Sequence, residues 1–435
     1  MYNEYMANHR MSPKAIRNII LVVVTLITLL VVAAVVIYFA APDLFEEIAG
    51  AILPDRGEQT SPDDDTTPDS GTTPDDGGGG TVPGGDPDDG GGGTPPTVLA
   101  PGDGELQVHF MDVGQGDSIL ILFPDGKDML IDCANYNNAS AYRTETLAYM
   151  DNYVTDGQLD YLMLTHCDGD HVYFMDEVLE KYDVDTVFMP NVLAEPSGTQ
   201  SSDRLQAEID ALDQNKVGMF TDEDTVDSNA YAEFFIAALS EPECEIVLNV
   251  DPDEDTNSIV ITDGTKLSDG TYDGATYMLT FYCPTEEYYA TTDLSSAEEK
   301  NAISPIGILE YNDVRIVLTG DSNEINEPTF VDRIGGSLDC DVLKVGHHGS
   351  ETSSTEEFLD AINCEYAVIS CNADGNTFYH PRQNTLDRLI ADDMTIYRTD
   401  NNGNIVLSVD ENGEMTFTTE READQAVNRV GADAA

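Results

Sequence analysis

The pattern of apolar and polar positions predicts short strands and helices from Glu105 onward. Residues 106–111 alternate apolar and polar side chains, which predicts a half-buried strand, whereas residues 118–123 are almost continuously apolar and predict a buried one. Asp125-Gly126 is a strong hairpin signal between this strand and an apolar return strand at 129–131. The domain is therefore expected to open with a β-sheet.

Strands and helices then follow in mixed order. Helices are predicted at 144–153, 174–182, 203–212 and 355–362, and further strands at 159–164, 186–189, 277–283, 305–311, 314–319, 341–345, 366–370, 395–398, 404–409 and 415–418. Asn312-Asp313 forms the turn of the 305–319 hairpin. Residues 191–275 are polar, acidic and less regular, with an apolar patch at 245–250. This order predicts an α/β domain over residues 105–420, followed by a flexible tail at 421–435.

A long apolar run near the amino terminus predicts a membrane anchor. Residues 19–41 carry no charge, and 23 helical residues span a bilayer core of about 30 Å. Basic residues within 1–18 and acidic sequence after the run place the amino terminus in the cytoplasm and the domain outside the membrane. A cleaved signal peptide is the alternative, although its apolar region is normally about 7–15 residues. Ala40-Ala41 keeps that alternative open.

Residues 42–104 predict a linker. Most of this segment consists of Pro, Gly, Asp, Thr and Ser, which cannot bury an apolar core. The negative charges of its aspartates repel one another and extend the segment further. The linker would hold the domain away from the membrane.

The charge of the chain limits its partners. Nineteen basic residues face 83 acidic ones, for a formal net charge of −64. A basic face for nucleic acid is not expected, and no stable nucleic-acid partner is predicted. The seven cysteines include no CxxC pair and do not resemble a disulfide framework, although one bridge would be compatible with them.

The clearest chemical signal is the stretch 165–171, which directly follows the apolar run 159–164. His166, Asp168, Asp170 and His171 lie within six residues. Imidazole and carboxylate groups on one tight loop are the ligands of a transition metal, with room for a second ion beside the first. A polar turn is the alternative interpretation. Only seven histidines occur in the chain, which favours the metal site.

Three other apolar strands end in similar side chains. Asp132 follows 129–131, Asp321 follows 316–318, and His347 with His348 follows 341–345. Sites in layered α/β folds gather at strand ends, so these loops are expected to converge. Taken alone, these motifs also fit interpretations other than a metal site. Thr319-Gly320-Asp321 is of a type that commonly forms a turn, and of two adjacent histidines one can be a ligand and the other a packed ring.

These motifs resemble a known family. The stretch 166–171 is similar to the His-x-His-x-Asp-His loop of the metallo-β-lactamase superfamily, with Asp168 at the second histidine position. Residues 110–118, 318–321, 343–350, 376–381 and 397–400 resemble the C-terminal hydrolase domain of ComEC-type competence proteins. The resemblance covers roughly residues 105–410. It implies an αββα sandwich with a dinuclear metal site, and because only one span is predicted, the polytopic channel of full-length competence proteins is not expected here.

Residue roles follow from this resemblance together with the side-chain chemistry. The metal ligands would be His166, Asp168, Asp170, His171, a bridging Asp321, and at least one of His347 and His348. Asp132 would orient the ligand loop through hydrogen bonds. Asp170 and His380 are the catalytic candidates, with His380 a general acid, a phosphate contact or only a residue preceding Pro381. Asp112 and Asp117 are expected to shape a turn, Cys167 to point away from the metals, and Lys344 has no assigned role.

The implied chemistry is two-metal hydrolysis with Zn²⁺ or Mn²⁺, and Asp168 makes the site harder and favours Mn²⁺. The leading hypothesis is a membrane-anchored extracytoplasmic phosphodiesterase or nuclease, with extracellular DNA as a candidate substrate. The alternatives are an esterase of cell-envelope phosphodiesters of the teichoic-acid or phosphorylcholine type, and a non-catalytic surface binding module.

Overall fold

The computed structural model describes residues 101–102, 104–196, 200–220, 225–251, 259–268, 270–372 and 378–422. The predicted cytoplasmic segment 1–18, the transmembrane helix 19–41, nearly all of the linker 42–104 and the tail from 423 onward lie outside these residues. Within the described ranges, no helix is long and apolar enough to cross a bilayer.

Strands and helices occur in mixed order along the chain. The strands are β1 (Leu106–Phe110), β2 (Ser118–Leu122), β3 (Asp128–Cys133), β4 (Gln158–Met163), β5 (Asp183–Met189), β6 (Leu193–Glu195), β7 (Thr225–Asp227), β8 (Glu245–Leu248), β9 (Ile259–Thr262), β10 (Thr265–Lys266), β11 (Tyr272–Asp273), β12 (Tyr277–Tyr282), β13 (Ile306–Tyr311), β14 (Val314–Leu318), β15 (Val342–Lys344), β16 (Tyr366–Ile369), β17 (Thr395–Arg398), β18 (Ile405–Val409) and β19 (Met415–Thr419). The helices are α1 (Ser140–Met150), α2 (Gly169–Val172), α3 (Met175–Lys181), α4 (Gln200–Ile209), α5 (Gln214–Val217), α6 (Asn229–Ser240), α7 (Glu286–Tyr289), α8 (Ala297–Asn301), α9 (Glu327–Ile334), α10 (Glu356–Ile362), α11 (Gln383–Ala391) and α12 (Thr399–Asn402).

Two large sheets form the centre of the domain. Their strand orders are β19-β18-β1-β2-β3-β4-β5-β8 and β17-β16-β15-β14-β13-β12-β9. One apolar cluster lies between the sheets and includes Phe110, Leu279 and Ile316. A second cluster joins the outer face of the first sheet to α3 and α6, and a third joins the second sheet to α9, α10 and α11. The result is the αββα sandwich that the resemblance implied.

The pairing of the strands brings the ligand loops together. In the first sheet β3 and β4 are parallel neighbours, so Asp132 at the end of β3 lies beside the loop 165–171 that follows β4. In the second sheet β14 and β15 are also parallel neighbours, which places Asp321 beside His347 and His348. Each sheet therefore contributes two neighbouring strand ends to one site.

The segment 191–275 extends both sheets, because β8 is the edge strand of the first sheet and β9 that of the second, while β10 pairs with β11. Its apolar patch is β8, which pairs in parallel with β5, while α6 packs Phe234 and Phe235 against the outer face. β6 and β7 form a separate parallel pair. The predicted helix 203–212 is observed as α4, three residues earlier.

Cys340 and Cys364 form the disulfide that the sequence could not assign. They precede β15 and β16, which are neighbours in the second sheet. The other five cysteines are buried thiols.

The prediction of a half-buried β1 is wrong, because both faces of this strand are buried. Gln107 and His109, on the face away from the second sheet, are buried, and the His109 ring packs against Tyr149 and Tyr153. His109 Nδ1 lies 2.8 Å from the Tyr149 hydroxyl, and Nε2 lies 3.1 Å from Gln107 Oε1. These contacts satisfy a neutral imidazole, and burial lowers the pKa of His109 to about 3.

Acidification is therefore expected to destabilise the fold through His109. The unfolded chain binds a proton near the ordinary histidine pKa of 6.5, whereas the folded chain does so only near 3, so stability falls as the pH drops below about 6.5. Between pH 7 and pH 5 the expected loss is about 2 kcal/mol. Urea unfolding of the wild type and His109→Gln at both pH values measures it. An equal pH dependence in the two proteins would contradict this assignment.

Candidate metal centre

Three histidines present the same nitrogen to the centre of the site. His171 Nδ1–H donates to Asp132 Oδ2 at 2.7 Å, and His348 Nδ1–H donates to the Ser370 carbonyl at 2.9 Å. His166 Nδ1 lies 3.3 Å from Ser304 Oγ. Each Nδ1 is thereby engaged outside the site, and each Nε2 lone pair faces inward, which is the arrangement of metal-binding histidines.

These nitrogens and the acidic side chains form two overlapping donor groups. In the first, termed the His171 group (Asp170, His171, Asp321 and His348), His171 Nε2 lies 3.2 Å from Asp321 Oδ1 and 3.3 Å from His348 Nε2. His348 Nε2 lies 3.5 Å from Asp170 Oδ2. A metal with bonds of about 2.1 Å holds neighbouring donors roughly 3.4 Å apart, so these distances suit one ion.

The second donor group shares Asp321 and is termed the His166 group (His166, Asp168, Asp321 and His347). His166 Nε2 lies 3.7 Å from Asp168 Oδ2 and 3.9 Å from Asp321 Oδ2. His347 Nε2 lies 3.7 Å from the same Asp321 oxygen. The spacing is wider than in the His171 group, since within the described ranges neither Asp168 nor His347 belongs to a set of three donors that all lie within 4.8 Å of one another. His347 is also 22% exposed where His348 is 1% exposed.

The buried donors fit a cation. His166 Nε2 and Asp321 Oδ1 are buried and make no hydrogen bond within the described ranges. The Nε2 atoms of His171 and His348 face each other although both rings use their Nδ1–H elsewhere. Buried polar atoms without hydrogen bonds and converging lone pairs are costly unless a cation lies between them.

Charges in the site favour ionised carboxylates. Burial opposes ionisation of Asp321, but the His171, His348 and His347 rings outweigh it and hold the pKa of Asp321 well below its usual value. Burial likewise opposes ionisation of Asp168, and the contacts with His166 and Lys300 lower its pKa to about 2. Both carboxylates are therefore available as anionic ligands at neutral pH.

Three site residues have left-handed backbone conformations, namely Asp132, His347 and His348, with φ of 55°, 49° and 53°. Such conformations cost roughly 1–3 kcal/mol at residues other than glycine and persist where the surroundings impose them. At Asp132 the side chain accepts from Thr165 N at 2.8 Å as well as from His171. These hydrogen bonds offset the strain at Asp132 and hold the ligand loop in place.

The Gly-x-Gly turn before β2 supports the ligand loop from the other side. A side chain at Gly116 would come within 2.8 Å of the Asp170 carbonyl, so only glycine fits this approach. Asp117 N donates to that carbonyl at 3.0 Å. The Asp117 side chain accepts from the buried Lys344 Nζ at 2.7 Å and lies 3.6 Å from His348 Nδ1. Asp117 therefore contacts the site more closely than its expected role in a turn implied.

The remaining sequence candidates have clear positions. Asp112 accepts from Gly114 N at 3.2 Å, as a turn residue does, and pairs with Arg421. Cys167 is buried in the apolar cluster under α6, away from the donors. The His380 ring lies 5.1 Å from the His347 ring, and burial, together with His347 and His348, lowers its pKa to about 3. A neutral ring fits the phosphate-contact option better than the general-acid option.

Sequence reasoning missed Lys300 and Asn301 at the end of α8. Lys300 Nζ forms an ion pair with Asp168. With the Asn301 amide oriented to satisfy both of its ends, its nitrogen donates to Asp168 Oδ2 at 3.0 Å and its oxygen accepts from His347 Nε2 at 3.1 Å. The chain has only 19 basic residues, so a lysine within an acidic stretch could have drawn attention in the sequence. Its proximity to Asp168, however, depends on the fold.

Lys300 is expected to weaken cation binding by the His166 group, because its charge lies next to a ligand of that group. Replacing Lys300 with methionine removes this positive charge and should tighten the weaker of the two Mn²⁺ affinities about 5- to 10-fold. A positive charge at such close range weakens cation binding by about 1 kcal/mol or more. Equilibrium dialysis of wild type, Lys300→Met and the charge-retaining Lys300→Arg measures this. Weaker binding by Lys300→Met would show that the lysine mainly positions Asp168.

Comparisons with known proteins agree with this geometry. Residues 111–300 match the Metallo-beta-lactamase superfamily. This match, the fold and the donor set together indicate a metal-dependent hydrolase with the metallo-beta-lactamase fold.

The curated relatives are competence proteins. The chain is 40% identical over 88 residues to "Competence protein ComA" of Neisseria gonorrhoeae, a match that covers 20% of this chain and 13% of that protein. It is 36% identical over 106 residues to "ComE operon protein 3" of Bacillus subtilis (strain 168), covering 24% and 13% respectively. The matches thus span about an eighth of either relative's length. Among solved structures, the metallo-beta-lactamase fold protein YhfI from Bacillus subtilis aligns with 70% of this chain and 99% of its own, at 10% identity and a TM-score of 0.38.

Proposed function

We propose that this protein is a membrane-anchored, extracytoplasmic phosphodiesterase of the nuclease type that uses two divalent ions, Zn²⁺ or Mn²⁺. The observation that carries the proposal is Asp321, whose two oxygens face different donor groups. Oδ1 lies 3.2 Å from His171 Nε2, and Oδ2 lies 3.9 Å from His166 Nε2. A carboxylate so placed suits two neighbouring cations. Two bound ions would activate water and neutralise charge on a phosphodiester.

The residues of the chain supply positioning and charge. Asp132, Ser370 and Ser304 fix the orientation of the three histidine rings, so the donors need little rearrangement. Asp170 lines the open cleft together with His380, where either could contact the substrate. His380 is 6% exposed and reaches the cleft next to His347.

Location and substrate rest on independent observations. The apolar run 19–41 and the linker 42–104 support an anchored domain outside the membrane. The disulfide between Cys340 and Cys364 agrees with an oxidising compartment. Carboxylate ligands such as Asp168 and Asp321 favour a hard metal and a phosphate ester. The competence relatives favour DNA among such esters.

The test uses the full-length protein in detergent with Mn²⁺ or Zn²⁺ and a single-stranded oligodeoxynucleotide. We expect metal-dependent cleavage and about two bound ions per chain by elemental analysis. Absence of cleavage with both ions would reject the nuclease. Fewer than one ion per chain would instead favour the non-catalytic surface module.

A cell-envelope phosphodiesterase of the teichoic-acid or phosphorylcholine type is the second candidate. The net charge of −64 favours it, because long-range repulsion weakens the approach of DNA. Glu298 and Glu351 also line the cleft and would suit a cationic substituent. Release of a small phosphorylated product from envelope material, without cleavage of the oligonucleotide, would favour this candidate.

A further inference from the structure

Aromatic rings lead from the metal centre to the mouth of the cleft. The cleft has a volume of about 460 Å³ and is lined by Asp170, Asp321, His348 and, at its mouth, Tyr136 and Phe378. The centroids of the His347 and His380 rings are 5.1 Å apart, those of His380 and Phe378 are 6.0 Å apart, and those of Phe378 and Tyr136 are 4.7 Å apart. These contacts form a continuous row of rings, which we call the aromatic row (His347, His380, Phe378 and Tyr136).

The outer end of the aromatic row is open to solvent. Tyr136 is 38% exposed and Phe378 is 39% exposed, although large apolar side chains in this domain are mostly buried. The two rings meet edge to face at 87°. Phe378 is nearly parallel to His380, at 9°. Exposed aromatic rings at the mouth of a site have a cost in water and are typical of surfaces that bind a flat ligand.

An arginine lies at the same mouth. Arg382 lines the cleft, its guanidinium lies 5.6 Å from the centroid of the Tyr379 ring, and its Nε is buried without a hydrogen bond to any described residue. Arg382 forms no ion pair within the described ranges, although acidic residues outnumber basic ones 83 to 19. Its guanidinium is therefore available to an anion that the substrate brings.

We propose that an unpaired base of the substrate packs in the corner formed by Tyr136 and Phe378, stacked on one ring and against the edge of the other, while Arg382 contacts the phosphate beside the one being cleaved. The inference rests on the proposed nuclease function and names the residues that determine its specificity. Flat aromatic rings beside a cationic guanidinium in the cleft complement the bases and phosphates of a single strand. Glu298 and Glu351 line the same cleft and oppose the denser charge of a duplex.

The choice of a base over a quaternary ammonium group follows from Arg382. A cationic substituent would enter next to this arginine, whose charge already lies over the Tyr379 ring. An unpaired base carries no charge, and its flanking phosphates are attracted by the same guanidinium. The aromatic mouth therefore favours a nucleotide chain.

The test compares two oligomers with the same phosphates. Full-length protein in detergent with Mn²⁺ is incubated with a single-stranded thymidine 12-mer and with an abasic 12-mer. Wild type should cleave the thymidine strand with a KM about 10- to 100-fold lower than that for the abasic strand, as expected of one or two stacked bases. Tyr136→Leu/Phe378→Leu keeps the apolar bulk and should remove this difference by raising KM for the thymidine strand, with kcat within about two-fold.

Two further variants separate stacking from charge and from general surface effects. Arg382→Gln should raise KM for both oligomers, because both carry the phosphate. Leu267→Ala/Ile390→Ala removes two exposed apolar side chains that do not line the cleft and should change neither constant. Equal KM values of wild type for the two oligomers would overturn the stacking proposal and leave the phosphodiesterase standing. Cleavage of neither oligomer would overturn both proposals.

Discussion

Replacing Asp321 by asparagine is expected to abolish most of the hydrolytic activity and to remove at least one bound metal ion. The carboxylate lies between the two donor groups and is held anionic by the surrounding histidines. An amide of the same shape keeps the packing but loses the charge. Charge stabilisation worth several kcal/mol is then lost, which corresponds to about 10³-fold in rate.

Steady-state hydrolysis and elemental analysis, both on the full-length protein, measure the effect of Asp321→Asn. Asp112→Asn is the matched control, because the amide oxygen of the new side chain can still accept the hydrogen bond from Gly114 N and Asp112 is not among the metal-site donors. The control should keep both the activity and the metal content of wild type. If Asp321→Asn retains two ions and more than about a tenth of the rate, the bridging role is wrong.

Replacing Lys344 by methionine is expected to cause the largest loss of stability. Its ammonium is fully buried and donates to Asp117 Oδ2 at 2.7 Å and to the Val345 carbonyl at 3.1 Å. Methionine fills a similar volume but leaves the buried Asp117 carboxylate without its counter-ion. Breaking a buried ion pair on one side costs about 3–5 kcal/mol.

Chemical unfolding monitored by circular dichroism measures the cost of Lys344→Met. The double variant Asp117→Asn/Lys344→Met removes both charges and should recover a large part of the loss, because no buried charge is then left alone. If the single variant costs less than about 1 kcal/mol, or if the double variant is less stable than the single one, charge pairing is not what Lys344 contributes.

Local sequence signals predicted most of the elements. Strand bounds at β2, β12, β14 and β16 agree with the expectation within one or two residues, since runs of apolar residues between turn signals determine them. The bounds of α1 differ more, because its first residues are exposed or half-buried, so no apolar periodicity marks the start of the helix at Ser140. Residues 191–275 resisted prediction because β8 is stabilised by pairing with a strand far away in the sequence.

The candidate site divides in the same way. Donor types and their positions at strand ends are local properties, so His166, Asp168, Asp170, His171 and Asp321 were visible in the sequence. The sequence did not show which donor group each of His347 and His348 joins, because this depends on the backbone conformation at both residues and on the Ser370 carbonyl, which holds the His348 ring. In the structure His348 lies in the His171 group, while the more exposed His347 contacts Asn301.

The sequence by itself determined the class of fold, the donor chemistry and the expectation of an anchored, extracytoplasmic domain, because each depends on residue type and spacing over short distances. Only the tertiary structure decided that Lys344 neutralises Asp117, 227 residues away, and that Lys300 lies against Asp168. It also decided that Tyr136 meets Phe378 at the mouth of the cleft. The physical reason is that contacts between distant residues depend on which strands pair, and that pairing is determined by packing of the whole domain.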